Sequence, residues 1–140
     1  MPPPAPPAKS AILTCMDPRL QLPVALGDEA EDAFVLRNAG GRVTDDVLRS
    51  LVLCTRLLGV TSVGVLHHTD CRMQEYSNTE LAQKTGVDID FLAFSESKDS
   101  IEQDVVLLRS SGLIDPALRI WGGLYHVDQH AVEVVTGERQ

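Results

Sequence analysis

Short runs of mainly apolar residues recur along the chain, and each ends at residues that favour a turn. Four runs occur, at residues 11–15, 33–37, 62–67 and 119–123. Their length and nearly continuous apolar character are typical of strands buried on both faces of a parallel sheet. Asp17-Pro18 stops the first run and residues 38–41 (Asn-Ala-Gly-Gly) stop the second. The pattern therefore predicts four buried strands.

Helical spacing appears between these runs. Thr44 is a favourable N-cap and Gly59 a favourable end for the first helix. Its predicted core face consists of Val47, Leu51, Cys54 and Leu58. A second helix is expected near residues 79–84, and a third from Asp99 or Ser100 to Gly112. The predicted core face of the third helix consists of Ile101, Val105, Leu108 and Leu107.

Strands that alternate with helices predict an open α/β sheet of four parallel strands with helices on both faces. Residues 124–135 alternate apolar and polar side chains, which indicates an antiparallel edge strand or hairpin. The Pro-rich residues 1–9 are expected to form a flexible tail, and residues 10–140 a single domain.

Composition narrows the class of protein. The chain has 140 residues, a net charge of −8 and no cluster of Lys or Arg, which argues against nucleic acid or an anionic membrane as partner. Neither a signal peptide nor an apolar stretch long enough to cross a bilayer is evident. The three cysteines are therefore expected in a reducing compartment, the cytoplasm, as metal ligands or core residues.

Three potential metal ligands follow predicted strands. Cys15 closes the first run, and His68 and Cys71 follow the third. If those strands are neighbours, the three side chains meet at the carboxyl edge of the sheet, where α/β sites form. Two thiolates and an imidazole suit Zn²⁺, and three protein ligands leave one coordination position open. The spacing therefore predicts one catalytic zinc ion per chain.

Asp17 and Arg19 lie next to Cys15 and supply candidate catalytic groups. The Asp17 carboxylate would accept a hydrogen bond from a zinc-bound water or occupy the fourth position itself, and Arg19 would hold that carboxylate through a bidentate pair. A structural reading is also open: Cys15 is a core residue, and Asp17 caps a helix that starts at Pro18. Cys54 is interpreted as a core residue and His67 as a core or ligand-supporting residue. His126 and His130 are interpreted as ordinary residues or proton carriers.

Three segments together resemble the β-class carbonic anhydrase family. They are Cys-Met-Asp-Pro-Arg at 15–19, Val-Leu-Arg-Asn-Ala-Gly-Gly at 35–41 and His-Thr-Asp-Cys at 68–71. The resemblance covers roughly residues 10–135. It implies a sheet ordered 2-1-3-4 and a homodimer or homotetramer with sites near the subunit boundary. It also implies the following site: zinc on Cys15, His68 and Cys71, with Asp17 and Arg19 as the dyad beside it.

Two departures refine the expected activity. Arg72 stands where the family commonly has Gly, and no long helical extension precedes the first strand. In lacking that extension, and in His-His-Thr-Asp-Cys at 67–71, the chain resembles the compact branch of the family, which is similar to carbonyl sulfide hydrolases as well as carbonic anhydrases. Zinc-bound hydroxide would add to a small linear electrophile. Carbonyl sulfide is favoured over CO₂ by a small margin.

Two other classes of function are alternatives to a zinc enzyme. In a non-catalytic zinc-binding α/β domain, Asp17 would permanently fill the fourth position. A nucleotide-binding domain is disfavoured because the Gly-rich residues 38–41 match no dinucleotide or P-loop pattern. Their glycines are interpreted as a tight turn beside the metal.

Overall fold

A computed structural model describes residues 9–139. Its centre is a five-stranded sheet in the order β2-β1-β3-β4-β5. The strands are β1 (Ser10–Cys15), β2 (Phe34–Asn38), β3 (Ser62–His68), β4 (Arg119–His126) and β5 (Ala131–Thr136). β1 to β4 pair in parallel, and β5 is antiparallel to β4. The predicted 2-1-3-4 order and antiparallel edge are confirmed. The tail predicted over residues 1–9 lies, apart from Lys9, outside the described residues.

Six helices connect the strands of the described chain. They are α1 (Leu22–Leu26), α2 (Asp28–Glu31), α3 (Asp45–Arg56), α4 (Arg72–Glu75), α5 (Asn78–Thr85) and α6 (Ser97–Ser110). A single 3₁₀ turn over Ala39–Gly41, called the glycine turn below, follows β2. None of the helices within residues 9–139 has the length and apolar character that crossing a bilayer requires.

The predicted helices are present, but some bounds differ. Thr44 caps α3 by accepting the Val47 N–H, as predicted. The helix ends at Arg56 rather than near Gly59, so Leu58 lies beyond it and is 36% exposed. Leu107 was expected in the core but is 40% exposed.

The start of α6 corrects a second prediction. The helix begins at Ser97 with Glu96 as N-cap, so neither Asp99 nor Ser100 is the cap. Ser100 is instead buried inside the helix, where its hydroxyl contacts the Ser97 carbonyl and the His67 ring. The Ser100 hydroxyl, which the sequence suggests as a cap, is thus used in a contact with β3 instead.

Helices cover both faces of the sheet, as predicted. On one face, α3 and α6 pack on the strands through buried aliphatic residues: Val47, Leu51, Val105 and Leu108 against Ala11, Leu13, Val63, Val65 and Ile120. On the other face, α1 packs through Leu22 and Leu26 in a cluster that includes Trp121 and Tyr125. Cys54 is a core residue of the first cluster, as interpreted.

The structural alternative for Asp17 as a helix cap is wrong. The first helix after β1 begins at Leu22, and its N-cap position is Gln21. The Asp17 carboxylate accepts the Arg19 N–H at 2.8 Å, which closes a local turn outside any helix. This turn therefore orients the Asp17 side chain just beyond the carboxyl end of β1.

Candidate metal centre

The three predicted ligands converge at the carboxyl edge of the sheet. Cys15 ends β1 and His68 ends β3, and these strands are neighbours because Thr14 pairs with Leu66. Cys71 lies three residues beyond the end of β3, at the N-cap position of α4. The ligand atoms of Cys15, His68 and Cys71 all lie within 4.8 Å of one another, and all three residues are buried.

His68 presents one ring nitrogen to this cluster. Its Nδ1 lies 2.7 Å from the Thr69 carbonyl oxygen, which only accepts, so Nδ1 carries the proton. In the neutral ring the buried Nε2 therefore carries the lone pair, and it has no hydrogen-bond partner among residues 9–139. An orphaned buried nitrogen is costly unless something else satisfies it. A metal ion held with the two thiols would do so.

The Thr69 peptide that fixes this tautomer is itself held in place. Its N–H donates to the Tyr125 carbonyl at 2.9 Å, and its hydroxyl accepts the Val127 N–H at 3.0 Å. β4 therefore orients His68 through Thr69, which is the support that metal-bound histidines usually have.

The two thiols share one proton. The hydrogen bond from Cys71 is the main reason that the pKa of Cys15 falls to about 4, against the opposing effect of burial. The same contact, together with burial, raises the pKa of Cys71. The Gly40 N–H also points at the Cys15 Sγ, at 3.4 Å. Cys15 is thus a thiolate, and a divalent cation would displace the remaining proton from Cys71.

Asp17 lies beside the ligands and is held by Arg19. The Arg19 side chain donates to both carboxylate oxygens, with Nη2 at 2.7 Å from Oδ2. These hydrogen bonds are the main cause that lowers the pKa of Asp17 to about 2. Oδ2 lies 3.9 Å from the His68 Nε2. The predicted bidentate pair is therefore present, and Asp17 is ionised at neutral pH.

Two further residues support this dyad and were given no role from the sequence. The Arg19 Nη1 donates to the Asp70 carboxylate at 2.9 Å, which links the dyad to the turn that carries Cys71. Arg37 donates to the backbone carbonyls of Cys15 and Asp17, at 2.8 and 2.6 Å. The detectable signal for Arg37 was its place at the end of β2, next to β1 in the sheet.

A pocket of about 380 Å³ opens beside the ligands. Its apolar lining consists of Met16, Pro18, Ala39, Gly40 and Met73. Arg72 also lines this pocket, but its side chain is 79% exposed and pairs with Glu75 at 2.7 Å. Arg72 therefore replaces the usual Gly with a cation at the pocket's rim. Larger cavities lie elsewhere on the surface and contain none of the three ligands.

The remaining histidines are not ligands in this arrangement. His67 is fully buried behind the glycine turn, and His126 pairs with Glu133 at 3.0 Å. His130 accepts or donates in a short contact with the Tyr125 hydroxyl, at 2.5 Å. The interpretation of His126 and His130 as residues outside the metal centre agrees with these positions.

Known proteins resemble the chain over most of its length. The family model described as carbonic anhydrase matches residues 10–111. A carbon disulfide hydrolase from Acidianus is 35% identical over 85% of this chain and 73% of that protein. Beta-carbonic anhydrase 1 of Mycobacterium tuberculosis is 45% identical, over 60% of this chain and 55% of that protein.

Solved structures agree with these sequence relatives. The carbonic anhydrase of Streptococcus mutans superimposes with a TM-score of 0.86 at 46% identity, over 94% of this chain and 83% of that chain. The residues that the family model matches, 10–111, contain β1 to β3 and the three candidate ligands. The chain therefore belongs to the β-class carbonic anhydrase family.

Proposed function

We propose that this protein is a zinc enzyme that adds water to a small linear electrophile, with carbonyl sulfide favoured over CO₂. One observation carries the proposal. Two cysteine sulfurs and the orphaned His68 Nε2 converge, buried, beside a carboxylate that an arginine keeps ionised. We assign Cys15, His68 and Cys71 as the metal ligands, and Asp17 and Arg19 as the catalytic dyad.

The donor set fits zinc. Two thiolates and one imidazole are among the ligand sets of catalytic zinc sites, and hard cations such as Mg²⁺ prefer oxygen ligands. With three protein ligands, bound zinc would supply a Lewis acid that lowers the pKa of a coordinated water. We expect the purified protein to contain one zinc ion per chain and the Cys71→Ser variant to lose it.

Asp17 would orient the water that reacts. The ionised carboxylate only accepts hydrogen bonds, and its Oδ2 lies close to the His68 Nε2 that faces the metal position. Arg19 occupies both oxygens from the outer side, so the carboxylate is kept in place and charged. Arg19 in turn bonds Asp70, which prevents the dyad from rotating away from the turn that carries Cys71.

The pocket favours a neutral, apolar molecule. Met16 and Met73 contribute polarisable thioethers, which contact soft atoms favourably. Carbonyl sulfide has a larger and softer terminal atom than CO₂, and this supports the order of substrates proposed. Its hydrolysis consumes one water and gives CO₂ and H₂S. Hydration of CO₂ to bicarbonate is the alternative, and the family includes carbon disulfide hydrolases as a third case.

One comparison tests the order of substrates. Values of kcat/KM are measured for carbonyl sulfide, CO₂ and carbon disulfide on one zinc-loaded preparation, with H₂S release followed for the sulfur compounds. We expect the largest value for carbonyl sulfide. Rapid CO₂ hydration without detectable H₂S release would reject this order and favour carbonic anhydrase activity. Stoichiometric zinc with no turnover of any of the three would indicate a non-catalytic zinc domain.

We further propose a cytoplasmic homodimer or homotetramer. β2 is an edge strand of the sheet, so its outer backbone groups are available for pairing with another chain. Its Val35 and Arg37 side chains are also exposed. Sedimentation equilibrium of the zinc-loaded protein gives the mass directly. A monomer at micromolar concentration would contradict this assembly.

A further inference from the structure

A cluster of buried polar side chains lies behind the glycine turn and takes no part in the proposed chemistry. We call Arg42, His67, Ser100 and Asp104 the buried polar cluster. It joins the glycine turn to β3 and α6, and each of its four members is less than a tenth exposed. Groups of this kind are seldom buried without a specific arrangement of partners.

Asp104 is the centre of the cluster. Its carboxylate accepts from the Arg42 Nε at 2.8 Å, the Arg42 Nη2 at 3.1 Å and the Val43 N–H at 3.4 Å. The His67 Nε2 lies 3.3 Å from the same carboxylate. Burial alone would raise the pKa of Asp104, but the bonds from His67 and Arg42 outweigh it and lower the pKa. The carboxylate is therefore ionised inside the protein.

The cluster holds the glycine turn from its outer side. The His67 Nε2 donates to the Gly41 carbonyl at 3.0 Å, since a carbonyl only accepts. The Asp104 carboxylate accepts hydrogen bonds from the Arg42 side chain and the Val43 N–H, in the two residues that follow the glycine turn. From the inner side, the Asn38 amide closes the same loop by bonding the Arg42 carbonyl at 2.8 Å and the Arg42 N–H at 2.9 Å. The turn is thus fixed on both sides.

The position of this turn determines one contact of a proposed zinc ligand. Gly40 aims its N–H at the Cys15 sulfur. Gly41 packs so closely on β1 that an added Cβ would lie 2.9 Å from the Thr14 carbonyl carbon. A displacement of the turn away from β1 would therefore lengthen the N–H···S contact.

We propose that His67 and Asp104 are positioning residues that tune the Cys15 thiolate through the glycine turn. An N–H donor withdraws electron density from a thiolate, so the sulfur gives less charge to the metal and the metal stays more electrophilic. The inference rests on the proposed zinc site but is independent of which gas is the substrate. No step of the reaction is assigned to either residue.

Stability alone does not require such a cluster. A buried ion pair replaced by well-packed apolar residues is often as stable, so charges in this position contribute little net stability. What the cluster provides here is orientation: His67 bonds the Gly41 carbonyl, and Asp104 bonds the Val43 N–H and the Arg42 side chain. A positioning role accounts for that arrangement.

Cobalt substitution tests the proposal with a readout other than turnover. Co²⁺ replaces zinc in the parent protein and in the Asp104→Asn and His67→Leu variants, and the thiolate-to-cobalt charge-transfer band is recorded. Loss of the N–H···S contact should shift this band to longer wavelength. Zinc affinity, measured by competition with a chelator, should fall about 10-fold or more, because the sulfur is no longer held in position for the metal and this loss outweighs its stronger electron donation.

Two further variants separate positioning from folding. His67→Gln keeps a donor near the Gly41 carbonyl and should restore much of the parent spectrum that His67→Leu loses. Asp46→Asn removes an exposed carboxylate paired with Arg49 and should leave spectrum and affinity unchanged. If a variant such as Asp104→Asn fails to fold, Ser100→Ala, which removes only the Nδ1 partner of His67, replaces it.

The outcomes distinguish this inference from the proposed function. Folded His67→Leu and Asp104→Asn proteins with the parent cobalt spectrum and zinc affinity would overturn the positioning role and leave the zinc site intact. A parent protein with no thiolate-to-cobalt band would instead overturn the zinc site, and the inference with it.

Discussion

A substitution at Asp17 should separate catalysis from metal binding. Asp17 is not among the proposed ligands, but it lies beside them and is ionised. Asp17→Asn keeps the shape of the side chain and removes its charge, so we expect zinc content to be unchanged. Turnover should fall about 100-fold or more, as for loss of a group that handles a proton. Metal analysis and initial rates on the same preparation measure both.

A control on the same pair strengthens that test. Arg19→Lys keeps a positive charge but loses the bidentate geometry that holds the carboxylate. It should reduce turnover less than Asp17→Asn does. An Asp17→Asn protein with the parent rate would contradict the role of the dyad.

The ligand residues were predictable from the sequence, and their supports were not. Cys15, His68 and Cys71 follow predicted strands, and strand ends meet in a parallel sheet. Arg37 and Asp70 bond groups that are distant along the chain or backbone carbonyls that no side-chain pattern records. The spacing of residues therefore predicts which ligand residues come together. It does not predict which long side chain from another strand or turn bonds to them.

Asp104 should make stability depend on pH in a defined direction. Its pKa is lowered in the folded protein, so as pH falls the unfolded chain binds the proton first, near the ordinary value of about 3.9. The carboxylate therefore stabilises the fold above that pH, and the effect is lost as pH falls through the lower folded pKa. Asp104→Asn should cost about 3 kcal/mol near neutral pH, because it leaves Arg42 buried without its partner.

Urea unfolding of metal-free protein over a series of pH values checks this dependence. The difference between parent and Asp104→Asn should be largest near neutral pH and should narrow below about pH 4. The exposed Asp46→Asn variant should show little difference at any pH. A gap that widens on acidification would reject the assigned ionisation.

At the scale of elements, the glycine turn differs from ordinary glycine turns in its surroundings. Gly41 and Gly59 both have positive φ, of 64° and 80°. An added Cβ at Gly41 would lie 2.9 Å from the β1 backbone, whereas at Gly59 nothing lies within 4 Å. Gly59→Ala should cost only about 1 kcal/mol, the strain of a left-handed L-residue. Gly41→Ala should cost more and should also weaken zinc binding.

Denaturant titration and chelator competition on both variants measure the two effects. The comparison isolates crowding because φ is positive at both positions. Equal zinc affinity in Gly41→Ala and Gly59→Ala would show that the turn does not control the centre.

The elements themselves followed the sequence to different degrees. The four parallel strands and α3 were predicted because their apolar pattern and the Thr44 cap are local signals. The burial predicted for the second strand was wrong, because β2 lies at the edge of the sheet and exposes Val35 and Arg37. The start of α6 was wrong because Ser100 bonds His67, a contact with another element. The short α1, α2 and α4 were not predicted, since a helix of one turn has too few residues to establish a period.

At the scale of the whole molecule, zinc should add to stability without being required for folding. Both core clusters consist mainly of aliphatic and aromatic side chains, and only the second includes the proposed ligands Cys15 and Cys71, so the metal-free chain should remain folded. Free zinc at about 100 times its Kd should then raise the unfolding free energy by about 2.7 kcal/mol. Urea titrations with and without zinc measure the difference, and Cys71→Ser should show none. A metal-free protein that lacks cooperative unfolding would contradict this expectation.

The chain contains one tryptophan, and its position gives the protein its own optical probe. Trp121 is fully buried, and its ring covers Gly64 so closely that a Cβ there would lie 2.5 Å from it. The indole shares its cluster with Cys15 and Cys71. Its fluorescence emission therefore starts from a dry environment and should move to the red only when the sheet opens. A paramagnetic ion bound by the cysteines should quench that emission, so metal arrival and unfolding are both readable without a label.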